Sequence, residues 1–262
     1  MKKKKLLLEC LEPRILLDAV PDVTIDAPSE QMLNEPIEFS LNFDNTANGS
    51  QPDKDTGYRP YIDLHIPDEL DIKSIKYKGT DVKYTDVGIF PDEGSGTGQL
   101  KHPILKDTDS EPVQITGKAG DHLYVIELPF GSYVHDQPIT QIDIASEMKP
   151  SAVYAQPFTV RAQGGFAYGL DAEDNPDVDE PVVGILKTQD ITPTVIKLYK
   201  INDAHEAETA TGENFPVTYT LTIDIAKDEE VKNIELVDLL PDNLDYIEGS
   251  ITSTLAYDSF HA

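Results

Sequence analysis

The sequence is poor in cysteine, tryptophan and basic residues. Its 262 residues include a single cysteine, Cys10, and this excludes a framework of intramolecular disulfides. The 21 basic side chains stand against 48 acidic ones, and the net charge of −27 opposes contact with a phosphate backbone, so nucleic acid is not an expected partner. No apolar run approaches the roughly 20 residues that cross a bilayer, so no membrane-spanning segment is expected.

The start of the chain differs in composition from the rest. Lys2–Lys5 and then Leu6–Leu8 imitate the charged and apolar parts of a secretory signal. Glu9 interrupts the apolar stretch after three leucines, whereas a cleavable signal needs about 7–15 apolar residues. We therefore expect residues 1–20 to form a short flexible leader without a recognisable cleavable signal peptide.

After residue 20, short runs of alternating apolar and polar residues are frequent, and helical periodicity is nearly absent. The runs Ile37–Phe43 and Val217–Ile225 predict half-buried strands. The 19 prolines and 16 glycines lie mostly between such runs, where turns accept them, so we predict an all-β chain of β-sandwiches. Shorter strands are predicted at Tyr61–Ile66, Leu123–Leu128, Ile139–Ile144, Phe158–Ala162 and Thr194–Tyr199.

An internal repeat indicates two related modules. Pro36–Leu41 and Pro216–Leu221 share the order proline, β-branched, polar, aromatic, hydroxyl, leucine. Downstream, Ile66–Asp71 is echoed by Leu240–Asp245, in which a proline and an aspartate follow the first residue in both copies. Two copies in the same order predict two sandwiches of common architecture.

The boundary between the modules is predicted near Ala172–Thr192, because the stretch Asp171–Pro181 is too acidic and proline-rich for the interior of a sheet. The chain then consists of the leader, an enlarged β-sandwich module at residues 21–185 and a second module at residues 186–262. The second module is shorter than the roughly 100 residues of a seven-strand sandwich. We expect it to be incomplete and to be continued by further repeat modules of the same chain.

Residues 11–19 carry a recognisable motif. Leu11-Glu-Pro-Arg-Ile-Leu-Leu-Asp-Ala19 resembles the LEPR-XLL motif near the N-terminus of very large, repetitive exported bacterial proteins. The resemblance implies export and a parent protein much larger than this chain.

Segments of the predicted second module resemble the DUF11-type repeat, which forms immunoglobulin-like β-sandwich arrays on bacterial surfaces. The resemblance rests on residues 194–197, 212–222 and 234–246. Ala226–Glu230 replaces the Asn-Thr-Gly turn that is usual in that family. The resemblance implies tandem immunoglobulin-like sandwiches in an extracellular or cell-surface location. The residues that fit the family pattern best are Asp238, Leu240, Pro241, Gly249 and Ser250.

Two acidic clusters are the strongest candidates for metal binding. Ca²⁺ takes six to eight oxygen ligands from carboxylates and carbonyls of flexible loops. The cluster at the module boundary is the predicted calcium site, and calcium is the only cofactor that we expect; a charge run of this kind also suits a solvated linker. Its ligands are Asp171, Glu173, Asp174, Asp177 and Asp179, and the alternative cluster is Asp44, Asn45, Asp53 and Asp55.

No nucleophile, base and orienting group is recognisable in the sequence, so the chain is not expected to be an enzyme. Lys197 and Asp238 are candidates for an isopeptide crosslink, although a lysine beside a strand normally faces solvent. The six histidines are not spaced as a local metal motif; they are His65, His102, His122, His135, His205 and His261.

These features favour a non-catalytic structural or adhesive segment of a large exported bacterial surface protein. Further modules of the same chain, and surface glycans or proteins, are the expected partners. The alternative is a carbohydrate-binding accessory module of an extracellular enzyme. Four tyrosines are candidates to stack on a sugar ring in that case: Tyr58, Tyr61, Tyr77 and Tyr84.

Overall fold

The computed structural model describes residues 19–49, 55–107, 110–168, 181–204, 216–240, 242 and 244–254. Within these residues the chain forms seventeen β-strands and no helix, which confirms the all-β prediction. Since the described residues form no helix, none of them belongs to a helical membrane span. The strands are β1 (Pro21–Asp26), β2 (Glu30–Met32), β3 (Pro36–Asn45), β4 (Gly57–Ile66), β5 (Leu70–Tyr77), β6 (Thr80–Asp81), β7 (Tyr84–Ile89), β8 (Thr97–Lys106), β9 (Pro112–Lys118), β10 (His122–Glu127), β11 (Ser132–Tyr133), β12 (Thr140–Met148), β13 (Phe158–Tyr168), β14 (Val182–Val183), β15 (Lys187–Thr194), β16 (Ile196–Asn202) and β17 (Tyr219–Ile225).

The chain divides into two compact units, residues 1–229 and 230–262, and all seventeen strands lie in the first. The described residues of the second unit form turns, bends and irregular segments. The leader predicted at residues 1–20 falls mostly on residues outside the described ones. The predicted module boundary at residues 185 and 186 stays a prediction; in the structure, β15 pairs with β13 and with β2 in the larger sheet.

Two sheets enclose the main core. The smaller sheet has the order β1-β3-β12-β5-β6, and the larger has the order β2-β15-β13-β4-β10-β7, with β11 beside β4 and β14 beside β13. Ile37, Phe39, Leu41 and Phe43 are buried from the smaller sheet, as their alternation predicts, and each such side chain contributes about 1.5–3 kcal/mol on burial. Phe43 meets Phe166 of the larger sheet edge-on, with ring centroids 5.6 Å apart. All seven predicted strand segments overlap strands of the structure.

A hairpin of β8 and β9 covers the outer face of the larger sheet and creates a second, smaller core. Ile62 and Leu64 of β4 point into the main core, whereas Tyr61 points to the opposite side and is buried under the hairpin. Leu123 and Val125 of β10 lie in the same outer core. The alternation in β4 is the pattern of a half-buried strand. The hairpin, which no predicted strand anticipated, buries the second face as well.

The strands β16 and β17 form a second hairpin directly after β15. The N–H of Ala226 donates to the carbonyl oxygen of Val195 at 2.9 Å, and the Asn34 side chain donates to the carbonyl oxygen of Lys227 at 2.9 Å. The first bond closes the base of the hairpin, and the second attaches that base to the turn between β2 and β3. In the repeat, the segment Pro36–Leu41 lies in β3 and the segment Pro216–Leu221 overlaps β17. The common architecture of the two modules stays a prediction.

Candidate functional site

The predicted calcium site lies outside the described residues. None of its ligands, Asp171, Glu173, Asp174, Asp177 and Asp179, is described, so the site stays a prediction. Across the described ranges, no group of three or more His, Cys, Asp or Glu side chains is arranged to hold a metal ion.

Of the alternative acidic cluster, three members are described, and Asn45 has a structural role there. Its side-chain amide donates to the carbonyl oxygens of Asp55 at 2.7 Å and of Tyr133 at 3.0 Å. Its side-chain oxygen accepts the N–H of Val20 at 2.9 Å. The Asn45 side chain therefore ties together the segment before β1, the loop after β3 and β11, and it would have to give up these hydrogen bonds to bind a metal.

The second strand of the chain, β2, and a late strand, β15, lie side by side in the larger sheet. β2 runs parallel to β15, with Glu30 opposite Thr192. The N–H of Leu33 donates to the carbonyl oxygen of Thr194 at 2.9 Å, and the N–H of Thr192 donates to that of Ser29 at 2.9 Å. Because the two strands are parallel, a force on β2 towards its N-terminal end and a force on β15 towards its C-terminal end act in opposite directions along the strands and load these hydrogen bonds in shear.

A buried Asp–His pair joins the β8–β9 hairpin to the larger sheet. The Nε2 of His102 lies 3.0 Å from Oδ1 of Asp63, and both residues are at most 2% exposed. The Nδ1 of His102 accepts the N–H groups of Ile104 at 3.2 Å and Leu105 at 2.9 Å, so Nε2 carries the hydrogen that is donated to Asp63. Burial raises the pKa of Asp63, and the contact with His102 partly offsets that effect. The pair thus fixes the irregular part of β8, where its register against β9 shifts.

A second buried histidine, His65, lies on the same face of β4. Its ring packs against Phe90 with centroids 5.0 Å apart, and neither ring nitrogen has a hydrogen-bond partner in the described part of the chain. Burial and the nearby Arg161 lower its pKa to about 4. Arg161 in turn pairs with Asp121, with Nη1 and Oδ2 2.6 Å apart. His65 is therefore neutral near pH 7 and packs as an aromatic ring.

An exposed cluster of aromatic and polar side chains lies at the edge of the larger sheet, and we call it the Tyr84 ledge. It consists of Tyr84 and Asp86 of β7 together with His122 and Tyr124 of β10. Asp86 stands opposite Tyr124, and Tyr84 stands opposite Ile126, so the ledge continues the inner face of the sheet. The Nε2 of His122 lies 2.5 Å from Oδ1 of Asp86.

The rings of the ledge support one another. His122 stacks on Tyr124 with centroids 4.5 Å apart, and Tyr84 meets Tyr124 edge-to-face at 6.0 Å. Burial, then Asp86, Asp71 and Tyr84, raise the pKa of Tyr124 to about 12, so its hydroxyl stays protonated near neutral pH. The ledge offers an aromatic surface beside a carboxylate and an imidazole that are already fixed in place.

The tyrosines proposed from the sequence for sugar stacking differ in how exposed they are in the structure. Tyr61 is completely buried and is excluded from that role. Tyr77 packs edge-on against Phe130, with centroids 5.7 Å apart. Tyr84 is 45% exposed and is the candidate that remains on an open surface with aromatic neighbours. Sequence reasoning missed Tyr124, although its place in the predicted strand 123–128 was a usable signal.

Neither a protein-family model nor a curated protein matches the chain. Among solved structures, a 35 kDa C-terminal fragment of the major pilin of Streptococcus agalactiae is 12% identical at a TM-score of 0.35, over 68% of this chain and 57% of the fragment. A cohesin module of a family 33 glycoside hydrolase from Clostridium perfringens is 10% identical at 0.33, over 67% and 98%. The Streptococcus suis adhesin Fhb is 14% identical at 0.34, over 65% and 87%. The chain thus spans little more than half of the pilin fragment.

Proposed function

We propose that this chain is a non-catalytic structural and adhesive segment of a large exported bacterial surface protein, located outside the cell or at its surface. The LEPR-XLL-like residues 11–19 and the DUF11-like segments after residue 194 support a repetitive parent protein. Its partners are then further modules of the same chain and the surface glycans or proteins that reach its loops and sheet edges.

The observation that carries this proposal is the parallel pairing of β2 with β15. In a row of modules, tension enters the sandwich before β1 and leaves it after β15, where the chain continues into the β16–β17 hairpin. The bonds from Leu33 to Thr194 and from Thr192 to Ser29 lie across that path. Because they are loaded together, the sandwich resists separation of its ends better than strands that unzip one bond at a time.

The first strand adds to the same resistance. β1 pairs antiparallel with β3 from Pro21 opposite Asn45 to Asp26 opposite Ser40. A pull on the N-terminal side slides β1 along β3, so this register is also loaded in shear. Two shear-loaded pairings in one sandwich suit a module that transmits force.

The two Asp–His contacts of the described residues support a non-catalytic role. The Asp63–His102 pair is buried between the β8–β9 hairpin and the larger sheet, where a substrate has no access. The Asp86–His122 contact is exposed, but the hydroxyl nearest to it belongs to Tyr124, 3.4 Å from Nδ1, and its raised pKa makes it a poor nucleophile.

Single-molecule pulling of the full chain through its two ends tests the proposal. Thr192→Pro removes the N–H that donates to Ser29, and we expect it to lower the unfolding force of the sandwich clearly. The matched control is Thr116→Pro in β9, which also places a proline in a strand but lies outside the path between the ends. The proposal is wrong if the two variants lower the force equally, or if neither does.

A further inference from the structure

The Tyr84 ledge is a second functional feature, separate from the strands that carry load. Its four side chains lie on the inner face of the larger sheet at the β7 edge, where Tyr84 stands opposite Ile126 of the main core and Tyr124 packs against that core. Tyr84 is 45% exposed, and the side chain of Asp86 is 56% exposed. An edge-to-face pair covers at most one face of a ring, so Tyr84 keeps an aromatic surface for a ligand.

We propose that the Tyr84 ledge binds a neutral pyranose residue of a surface glycan. The C–H face of such a sugar is apolar and packs on the electron-rich face of an aromatic ring. Tyr84 and Asp86 are two residues apart on one face of β7, so their attachment points are about 6.6 Å apart at a rise of about 3.3 Å per residue. A sugar stacked on Tyr84 therefore reaches the Asp86 carboxylate with its hydroxyl groups.

The contact between His122 and Asp86 orders the polar part of the ledge before a sugar binds. With Oδ1 held by Nε2 of His122, the carboxylate has a fixed orientation, and its second oxygen is left to accept hydrogen bonds from sugar hydroxyls. His122 is itself fixed by stacking on Tyr124. Polar groups that are ordered before binding lose less conformational entropy when the ligand arrives.

Charge selects the class of glycan. The ledge itself carries the Asp86 carboxylate, and the charge of Asp71 in β5, which pairs with Lys73 at 2.8 Å, also raises the pKa of Tyr124. The chain as a whole carries a net charge of −27. An acidic sugar such as a sialic acid is repelled by this field, whereas a neutral hexose or N-acetylhexosamine is not. This inference goes beyond the load-bearing role, and it stands or fails without any force being applied.

The test is a microarray of oligosaccharides that end in neutral hexoses or N-acetylhexosamines, with their sialylated counterparts, probed with the full chain. We expect binding to neutral glycans and at least tenfold weaker binding to the sialylated forms. The best neutral glycan is then titrated against variants in solution. Tyr84→Ala should weaken its binding at least tenfold, Asp86→Asn should weaken it several-fold, and Tyr84→Phe should retain it.

Tyr154→Ala is the matched control, since Tyr154 is 56% exposed and lies outside the ledge. It should bind the neutral glycan as the wild type does, and all variants should melt at the wild-type temperature because the substituted side chains are at least partly exposed. The inference is overturned if no neutral glycan binds, if Tyr84→Ala binds normally, or if Tyr154→Ala loses binding to the same extent. Capture of a polylysine probe by the ledge in place of any glycan would also overturn it.

Discussion

His65 offers a direct test of how burial controls the pH dependence of stability. Its imidazole is 1% exposed beneath the β8–β9 hairpin, with Phe90 and Arg161 as neighbours. His65→Phe keeps an aromatic ring against Phe90 and removes two nitrogens that have no hydrogen-bond partner among the described residues. Replacing an unpaired buried polar group by an apolar one of similar shape is nearly neutral or stabilising.

The magnitude follows from the pKa of His65, which falls from 6.5 to about 4 on folding. Between pH 4 and pH 6.5, His65 binds a proton in the unfolded chain but stays neutral in the folded chain. The stability from a neutral His65 is therefore complete above pH 6.5 and is lost as the pH falls towards 4. Between pH 7 and pH 5 the loss amounts to about 2 kcal/mol, at about 1.36 kcal/mol per pKa unit.

Urea unfolding of the wild type and of His65→Phe at pH 7, 6 and 5 measures how much His65 contributes to the pH dependence of the free energy of unfolding. We expect the wild type to lose about 2 kcal/mol more than the variant over that range. The raised pKa values of Asp63 and Asp121 act in the opposite direction, but both proteins retain them, so they cancel in the difference. Val134→Ala, which removes no titratable group and lies at a partly exposed site, should keep the wild-type dependence. Parallel curves for the wild type and His65→Phe would refute the reasoning.

Three further predictions concern packing, the buried pair and calcium. Gly165→Ala should cost about 1–3 kcal/mol, because its Cβ clashes with a buried tyrosine ring, whereas Gly131→Ala, with open space around it, should change stability by less than about 1 kcal/mol. His102→Ala should cost about 3–5 kcal/mol, because it leaves a buried carboxylate unpaired, and should speed amide exchange in the β8–β9 hairpin. Calcium at about 2 mM should add about 0.6–1.8 kcal/mol to the wild type in thermal unfolding, and less to an Asp174→Ala, Asp177→Ala variant.

Each of these has an outcome that contradicts it. Equal losses for the two glycine variants would mean that the close approach at Gly165 does not limit packing. Unchanged exchange in the hairpin of His102→Ala would show that the pair does not hold it. If calcium stabilises both proteins equally, or neither, the acidic stretch is a solvated linker.

The strands of the main core were predictable because their information is local. In Ile37–Phe43 every second residue is apolar, and one buried face needs no more than that alternation. The exposed Tyr84 was also named from the sequence as a candidate for sugar stacking. The sequence identified His122 only as one of six scattered histidines, because its partner Asp86 lies 36 residues away on the neighbouring strand.

By itself the sequence determined the all-β class, the main core strands and the strong negative charge. The tertiary structure decided which polar residues are buried. Asp63 and His65 stand at the polar positions of an alternating strand, where solvent is the ordinary neighbour, and they are covered because the hairpin at residues 97–118 folds over them. It also decided that β2 and β15 pair in parallel, although more than 150 residues lie between them. Such long-range contacts depend on how whole sheets stack, and no local pattern of side chains encodes that stacking.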